Sequence, residues 1–291
     1  MLPFPPNAMQ GVRVLDLTRL LPGPLASRWF VDMGAEIIKV EPPGGDPLRR
    51  MEPPSLFASL NEGKTCLELS LKVPEQREQF LTMADRADVV LEGFRPGVLD
   101  ALGCGWQVLH ARNPRLILTS ISGYGPEHPY RDRAGHDINY LAVAGVLPFL
   151  HYQVPGVQIA DIAGGSMPAV LGTLAALYER TRTGLGQHVE VSMMHNSALL
   201  LALAGHGAQD PISGRYACYR VYRCAGGGHI AFGALEPKFW QAICRDLQRP
   251  QWVARQWDAS LVGEVEALLA SQPAEQWAQA LSHPDCCVTP A

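Results

Sequence analysis

The chain has 291 residues, 47% hydrophobic and 18% charged, with 28 acidic against 24 basic side chains and a net charge of −4. That length admits two domains with filled cores, and the balance gives no basic footprint for nucleic acid, leaving only a local basic pocket for a small anion. Cysteines 66, 104, 218, 224, 244, 286 and 287 form no CxxC pair and no zinc-type spacing, so reduced thiols and no metal are expected.

In chain order, Met1 to Pro6 carries neither a basic n-region nor a sustained apolar h-region. No later apolar run reaches the roughly 18 residues of a membrane span, so a cytoplasmic protein is expected. Val12 to Leu17 reads as a short buried strand, Pro24 to Asp32 as a helix and Glu36 to Val40 as a second strand, which is one βαβ unit. It lacks GxGxxG, so neither NAD nor FAD is expected. A loop rich in Pro and Gly follows from Glu41 to Pro54, carrying Asp46, Arg49 and Arg50, and then Asn61-Glu62-Gly63-Lys64. Arg49, Arg50 and Lys64 in such loops could hold phosphates, or form a solvated basic face. Thr65 to Leu71 reads as a strand, Pro74 to Ala84 as a helix and Asp88 to Leu91 as a strand ending in Glu92-Gly93-Phe94-Arg95-Pro96-Gly97. In open parallel sheets that carboxyl end is where ligands bind.

Gly105 to Arg112 predicts a helix and Leu116 to Ser122 a strand, so the pattern alternates as in a parallel sheet covered on both faces. Gly135-His136-Asp137-Ile138-Asn139-Tyr140 then sets a base, a carboxylate and an amide side by side, as either a reactive cluster or a local turn. Asn139 to Leu150 is an apolar helix or loop. Asp161 precedes Gly164-Gly165-Ser166 and a helix running to Arg180, either as a functional acid or as a helix N-cap. Gln187 to Met193 alternates like a strand, Asn196 to Ala204 is apolar and helical, and Gly205 to Gly214 reads as a linker. Tyr219 to Cys224 and His229 to Gly233 form a hairpin, and a helix opens at Leu235-Glu236-Pro237 and runs through Leu247. The remainder, with Trp252, Trp257 and Trp277, reads as helical.

Residues 10 to 291 resemble the class III CoA-transferase family (CaiB/BaiF type), and within it the α-methylacyl-CoA racemases. The resemblance rests on ordered motifs: Gly11-Val12-Arg13-Val14-Leu15-Asp16-Leu17, Gly34 to Glu41, Asn61 to Lys64, Phe94 to Gly97, Ser122 to Gly125, Gly135 to Tyr140, Asp161 ahead of Gly164-Gly165-Ser166, and Gly233 to Pro237. It implies an α/β fold: a Rossmann-like parallel-sheet CoA-binding domain over 1–190, a linker at 191–215, a smaller α+β domain over 216–291, and an interlocked homodimer. It also implies His136 and Asp161 as the two bases and Glu236 as the support of His136. Inverting a carbon beside a thioester carbonyl takes a proton off one face and returns one to the other. Asp161 needs a dry site to raise its pKa for that work.

The transferases of the family use an aspartate nucleophile that forms an acyl anhydride, and Asp137 is the residue expected in that role. His136 before it and Asn139-Tyr140 after it favour the racemases. Arg49 or Arg50, Lys64, Phe94 and Arg95 are expected to hold the coenzyme A part of an acyl-CoA substrate, with no separate cofactor. The chain stops at Thr289-Pro290-Ala291, where relatives continue through a segment returning to the large domain. A third expectation is therefore a shortened paralogue that binds CoA esters without turnover.

Overall fold

The computed structural model describes residues 4–51, 53, 55–202 and 210–291. It divides into two compact units, Met1–Leu200 and Leu201–Ala291. Residues 191–200 therefore belong to the first unit, although the linker was expected to begin at 191, and residues 203–209 of that linker lie outside the described residues.

The first unit is built on six strands: β1 (Arg13–Asp16), β2 (Glu36–Glu41), β3 (Thr65–Glu68), β4 (Val89–Glu92), β5 (Ile117–Ser122) and β6 (His188–Ser192). All pair in parallel in the order β3-β2-β1-β4-β5-β6. The central strand β4 is buried along its whole length, which explains its unbroken Val-Val-Leu run. Leu15, Val90 and Leu118 pack on α3 (Pro74–Ala84) and α5 (Trp106–Arg112) through Phe80, Leu81 and Leu109. The chain runs one way from β1 and the other way from β4, so the sheet opens a crevice at the carboxyl ends of these neighbours.

Helix α1 (Pro22–Asp32) starts with Pro at its first turn, where no hydrogen bond is lost. Gly23 is required there, because a Cβ would sit 2.2 Å from Cβ of Thr18. The Pro-rich loop expected from Glu41 to Pro54 contains a single 3-10 turn, Pro47–Arg50, and a short helix, α2 (Ser55–Asn61), follows it where the sequence showed no element. Short helices α4 (Val98–Ala101), α6 (Asp137–Val143) and α8 (Met193–Ala198) border the carboxyl ends of the strands, with α7 (Met167–Thr183) the long helix of the unit. Thr119 on β5 and Thr173 on α7 share a buried hydrogen bond of 2.7 Å.

The helical stretch Ala160–Thr183 has a mean hydropathy of 1.3 and is long and apolar enough to cross a membrane by length and composition, against the expectation that no such run exists. Half of it is buried, and its packing on β5, β6 and α1 accounts for that apolarity.

Beneath the crevice lies a network of buried charges. Asp16, at the end of β1, accepts hydrogen bonds from Ser27 Oγ at 2.5 Å, from the Thr18 amide at 2.9 Å and from the Thr18 hydroxyl. Lys64 Nζ lies 3.3 Å from Asp16 Oδ2 and donates to Pro24 O and Asn61 Oδ1, each at 2.9 Å. Lys39 Nζ donates to Thr18 O at 2.8 Å and forms an ion pair with Asp46 at 3.1 Å; none of these four charged side chains is exposed. Burial alone would push the Asp16 carboxyl up, but the charges of Lys64 and Lys39 and the hydroxyl bonds outweigh it and hold the group below its ordinary value. Burial presses the Lys64 ammonium down to about 8, with the Asp16 charge opposing.

The second unit pairs β7 (Tyr219–Arg223), β8 (His229–Gly233) and β9 (Val288–Pro290) in one antiparallel sheet. Its core joins Tyr222, Ile230 and Phe232 to Trp240 on α9 (Pro237–Asp246), Leu269 on α10 (Val262–Leu269) and Trp277 on α11 (Ala274–Ala280). The indoles of Trp240 and Trp277 donate to Trp252 O and Leu269 O, which lets them be buried without an unpaired N–H. Strand β9 corrects the reading of an all-helical C-terminal part: three residues, one of them proline, carry no alternation, and proline is tolerated in a strand only at an edge. All seven cysteines are free, with Cys66 and Cys287 exposed.

Lys64→Ala leaves the Asp16 carboxylate buried beside an empty space and is expected to lower the unfolding free energy by about 3–5 kcal/mol in urea titrations. Arg50→Ala, which removes a side chain bonded among the described residues only to Gly44 O, is expected to change it by less than about 0.5 kcal/mol. Equal losses from the two would show that Lys64 does not sustain Asp16.

Candidate active site

Each residue of the stretch Gly135 to Tyr140 has a separate physical task. A Cβ on Gly135 would lie 2.7 Å from the Tyr124 hydroxyl and 2.8 Å from the Tyr140 ring, so only glycine fits. His136 stands in extended conformation just ahead of α6, where Asn139 Oδ1 accepts its amide at 3.0 Å and fixes the backbone that carries the imidazole. Tyr140 is buried and donates to Gly135 O at 2.6 Å, closing the turn on itself. Ile138 faces outward. Asp137 faces inward, and its Oδ1 accepts the backbone amide of Asp161 at 2.9 Å.

Asp161 is the second residue of a π-helical segment, Ala160–Ser166, that leads directly into α7. It is not the N-cap weighed in the sequence. Wide π turns are rare and are found mostly at functional sites. This one is clamped from several sides: Ser166 Oγ donates to Asp161 O at 3.2 Å and Pro22 O at 2.7 Å, and Asn196 on α8 donates to Gly164 O at 3.0 Å. A Cβ on Gly164 would meet Met193 O at 2.4 Å, so the approach of α8 depends on that glycine.

These elements enclose a cavity of about 320 Å³ in the crevice at the carboxyl ends of β1, β4 and β5. His136, Asp161 and Tyr140 line it, against an apolar wall that includes Leu20, Leu48, Leu60, Ile121 and Met193. Leu20 has a left-handed backbone (φ 65°), a strained state for a leucine, in the loop that forms this wall. Burial raises the Asp161 carboxyl, the neighbouring Asp137 charge raises it further and His136 opposes, leaving it at about 6. An acid in that range exchanges protons readily near neutral pH.

A second cleft, of about 490 Å³, adjoins the first and includes Leu17, Val40, Leu71, Lys72 and Phe94 in its lining. Arg19 lines both, and its guanidinium lies 5.4 Å from the centre of the Phe94 ring.

Residues 9–291 match CoA-transferase family III. The chain belongs to that family. It is 33% identical to the human alpha-methylacyl-CoA racemase over 304 residues, covering 97% of this chain and 77% of the racemase. It is 34% identical to the succinyl-CoA:mesaconate CoA-transferase of Haloarcula marismortui, covering 91% of this chain and 74% of the other. The crystal structure of Rv3272 from Mycobacterium tuberculosis, named a probable fatty acyl-CoA transferase, superposes with a TM-score of 0.84 at 35% identity, covering 97% of this chain and 82% of that one. Family membership thus carries acyl-CoA chemistry, with racemase and transferase relatives at similar distance.

Within this family fold, the structure brings His136 and Asp161 together at one cavity, while Asp137 is not part of its wall. Asp161 is the carboxylate in that lining, and Asp137, expected as the transferase nucleophile, lies beside it, bonded to the Asp161 amide. Glu236 belongs to the second unit, where it is exposed ahead of α9 and its carbonyl accepts the amides of Phe239 and Trp240.

The expected coenzyme-binding residues divide. Lys64 is spent on Asp16, and Arg49 forms a two-bond pair with Glu41 (3.0 and 2.7 Å) and lies 3.7 Å over the Phe57 ring. Neither is free for a phosphate, because a buried or bidentate ion pair would have to break first. Arg50 is exposed, and Phe94 and Arg95 line a cavity of about 250 Å³ with Glu92 and His188. Arg19 and Lys72 were missed, although Arg19 follows β1 directly at the carboxyl end of the sheet, a position that by itself marks a ligand site. Among the described residues, no group of three or more His, Cys, Asp or Glu side chains is placed to hold a metal.

The raised Asp161 value predicts a stability signature. Folding takes up a proton between about pH 4 and 6, so the ionised group costs stability above pH 6 and costs nothing below pH 4. Asp161→Asn is expected to be more stable than the parent protein by about 1–3 kcal/mol at pH 7.5, with the gain disappearing by about pH 4. Urea titrations at the two pH values measure it; a variant less stable at pH 7.5 would show that the carboxylate is held by partners rather than strained.

Proposed function

We propose that the protein interconverts the enantiomers of 2-methylacyl-CoA thioesters by moving a proton at the carbon next to the thioester. The observation that carries this reading is that a histidine and an aspartate whose carboxyl is raised to about 6, on separate elements, line one cavity with an apolar wall. One group takes the α-proton from one face, the electron pair passes into the thioester carbonyl as an enolate, and the other group delivers a proton to the opposite face. For one enantiomer His136 accepts and Asp161 donates; for the other the roles reverse. Arg19, Lys72 and Arg95 supply positive charge to the coenzyme phosphates in this reading. None of these three arginine and lysine side chains makes an ion pair with an acidic residue among the described residues, which leaves them available for an anion. A cytoplasmic homodimer belongs to the same proposal, supported by the exposed apolar row Met167, Leu171 and Tyr178 along α7.

A second reading is favoured by the transferase relatives, with Asp137 as the nucleophile. Its carboxylate would attack the thioester carbonyl and expel the CoA thiolate, the thiolate would then attack the enzyme carbonyl of the mixed anhydride and release the first acid, and a second carboxylate would take CoA from the enzyme thioester through a second anhydride.

Proton NMR of a 2-methylacyl-CoA in deuterated water separates the readings. The racemase shows loss of the α-proton signal, with His136→Ala and Asp161→Ala each reducing exchange by a factor of about 10² or more while CoA-ester binding persists. A transferase shows movement of CoA from the thioester to a second carboxylic acid, lost in Asp137→Ala and retained in His136→Ala, without α-proton exchange. CoA-ester binding with neither reaction would leave a protein that binds CoA esters without turnover. In the active enzyme, Arg19→Ala and Lys72→Ala are each expected to raise KM about tenfold with little change in kcat, the cost of one charge-assisted phosphate contact.

A further inference from the structure

Asp137 and Asp161 are buried 24 positions apart in sequence yet in contact, through the 2.9 Å bond from the Asp161 amide to Asp137 Oδ1. Asp137 is 5% exposed and forms no ion pair with Lys, Arg or His among the described residues. A carboxylate buried so deeply is ordinarily matched by a cation. Here its neighbours are one amide and a second acid. The amide lies at the start of a helix, where a backbone N–H has no partner within the helix.

We propose that Asp137 is a positioning residue for Asp161: its buried carboxylate grips the Asp161 amide and sets a negative charge beside the Asp161 side chain. This rests on the proton-transfer reading above. A negative charge beside a carboxyl favours its protonated form. In the direction of the reaction that starts from protonated Asp161, that carboxyl is the donor and His136 the acceptor. In the productive step the substrate Cα–H bond breaks as its proton moves to the imidazole. Its electron pair enters the enolate, and the Asp161 O–H proton forms the new C–H bond on the opposite face, leaving two adjacent carboxylates whose repulsion favours reprotonation.

The charged and titratable groups around Asp161 are few. From α6 it meets Asp137, His136 and Tyr140, and Tyr140 is itself pushed up to about 12 by burial and by the Asp161 charge. Arg19, from the loop after β1, lines the same cavity, and Arg95, from the loop after β4, acts on Tyr140. The facing side chains Met193, Asn196 and Ser197 of α8 are neutral. Asp137 is therefore the only negative neighbour of Asp161 among the described residues that the fold supplies, which makes it the group to change.

The test uses Asp137→Asn in the full chain, which keeps an oxygen acceptor for the Asp161 amide and removes the charge. Carbon-13 NMR of aspartate-labelled protein without substrate follows the Asp161 carboxyl, assigned by its absence in Asp161→Asn. The expected result is a titration midpoint lower by about one pH unit. The matching limb of the α-proton exchange profile should move by the same amount at unchanged KM. An unmoved midpoint in folded Asp137→Asn overturns the proposal. If that variant does not fold, the parent protein decides: coupled two-step titration of both carboxyls supports it, and two independent single-step titrations overturn it. A shifted midpoint in a protein that exchanges no α-protons supports the positioning role and removes the racemase reading alone.

Discussion

The crevice of the first unit stays open because the charges beneath it are satisfied from within. Asp16 ends β1 and Lys39 lies on the neighbouring β2, and both side chains are fully buried where a parallel sheet ordinarily carries aliphatic residues. Lys64 reaches Asp16 from 48 positions away, and Asp46 reaches Lys39 from the loop after β2. The ammonium groups also bond the carbonyls of Thr18 and Pro24, so they pin both the loop that follows β1 and the first turn of α1. That loop carries Arg19 and the strained Leu20 to the cavity wall. Buried ion pairs contribute little net stability, but breaking one is costly, and this asymmetry makes the network a device for geometry.

The same economy governs the cavity. It is walled by leucine, isoleucine and methionine, so the few polar groups inside act in a poorly solvated space. Poor solvation disfavours the charged form of Asp161, and the adjoining Asp137 adds to the effect. The π-helical turn, held by Ser166, Asn196 and Asp137, keeps that carboxyl at the wall. His136 is held equally firmly through its own backbone by Asn139. Both side chains are thus fixed at their Cα atoms by neighbouring hydrogen bonds, which holds them in place at the cavity wall.

The basic side chains illustrate how charge is divided between scaffold and ligand. Arg49 and Lys64 lie in loops whose sequence suggests phosphate binding, yet each has an internal carboxylate. Arg19, Lys72 and Arg95 are scattered along the chain and line clefts around Phe94 with no ion-pair partner among the described residues. Which cations are held internally is therefore decided by the carboxylates that folding brings to them.

The sequence alone determined the alternation of strands and helices and the motif order that marks the family, because both are written in local pattern and residue type; it singled out His136 and Asp161 only through the family resemblance. It did not reveal the three-residue strand β9 or the helix α2, which are too short for a periodic signal, nor the π turn that carries Asp161. Tertiary structure decided which cations are internal, which carboxylate meets the cavity, and what surrounds it. The physical reason is the same in each case: burial, and partnership across tens of residues such as Asp16 with Lys64 or Asp137 with Asp161, exist only once the chain has folded, and they set whether a charge is available for chemistry.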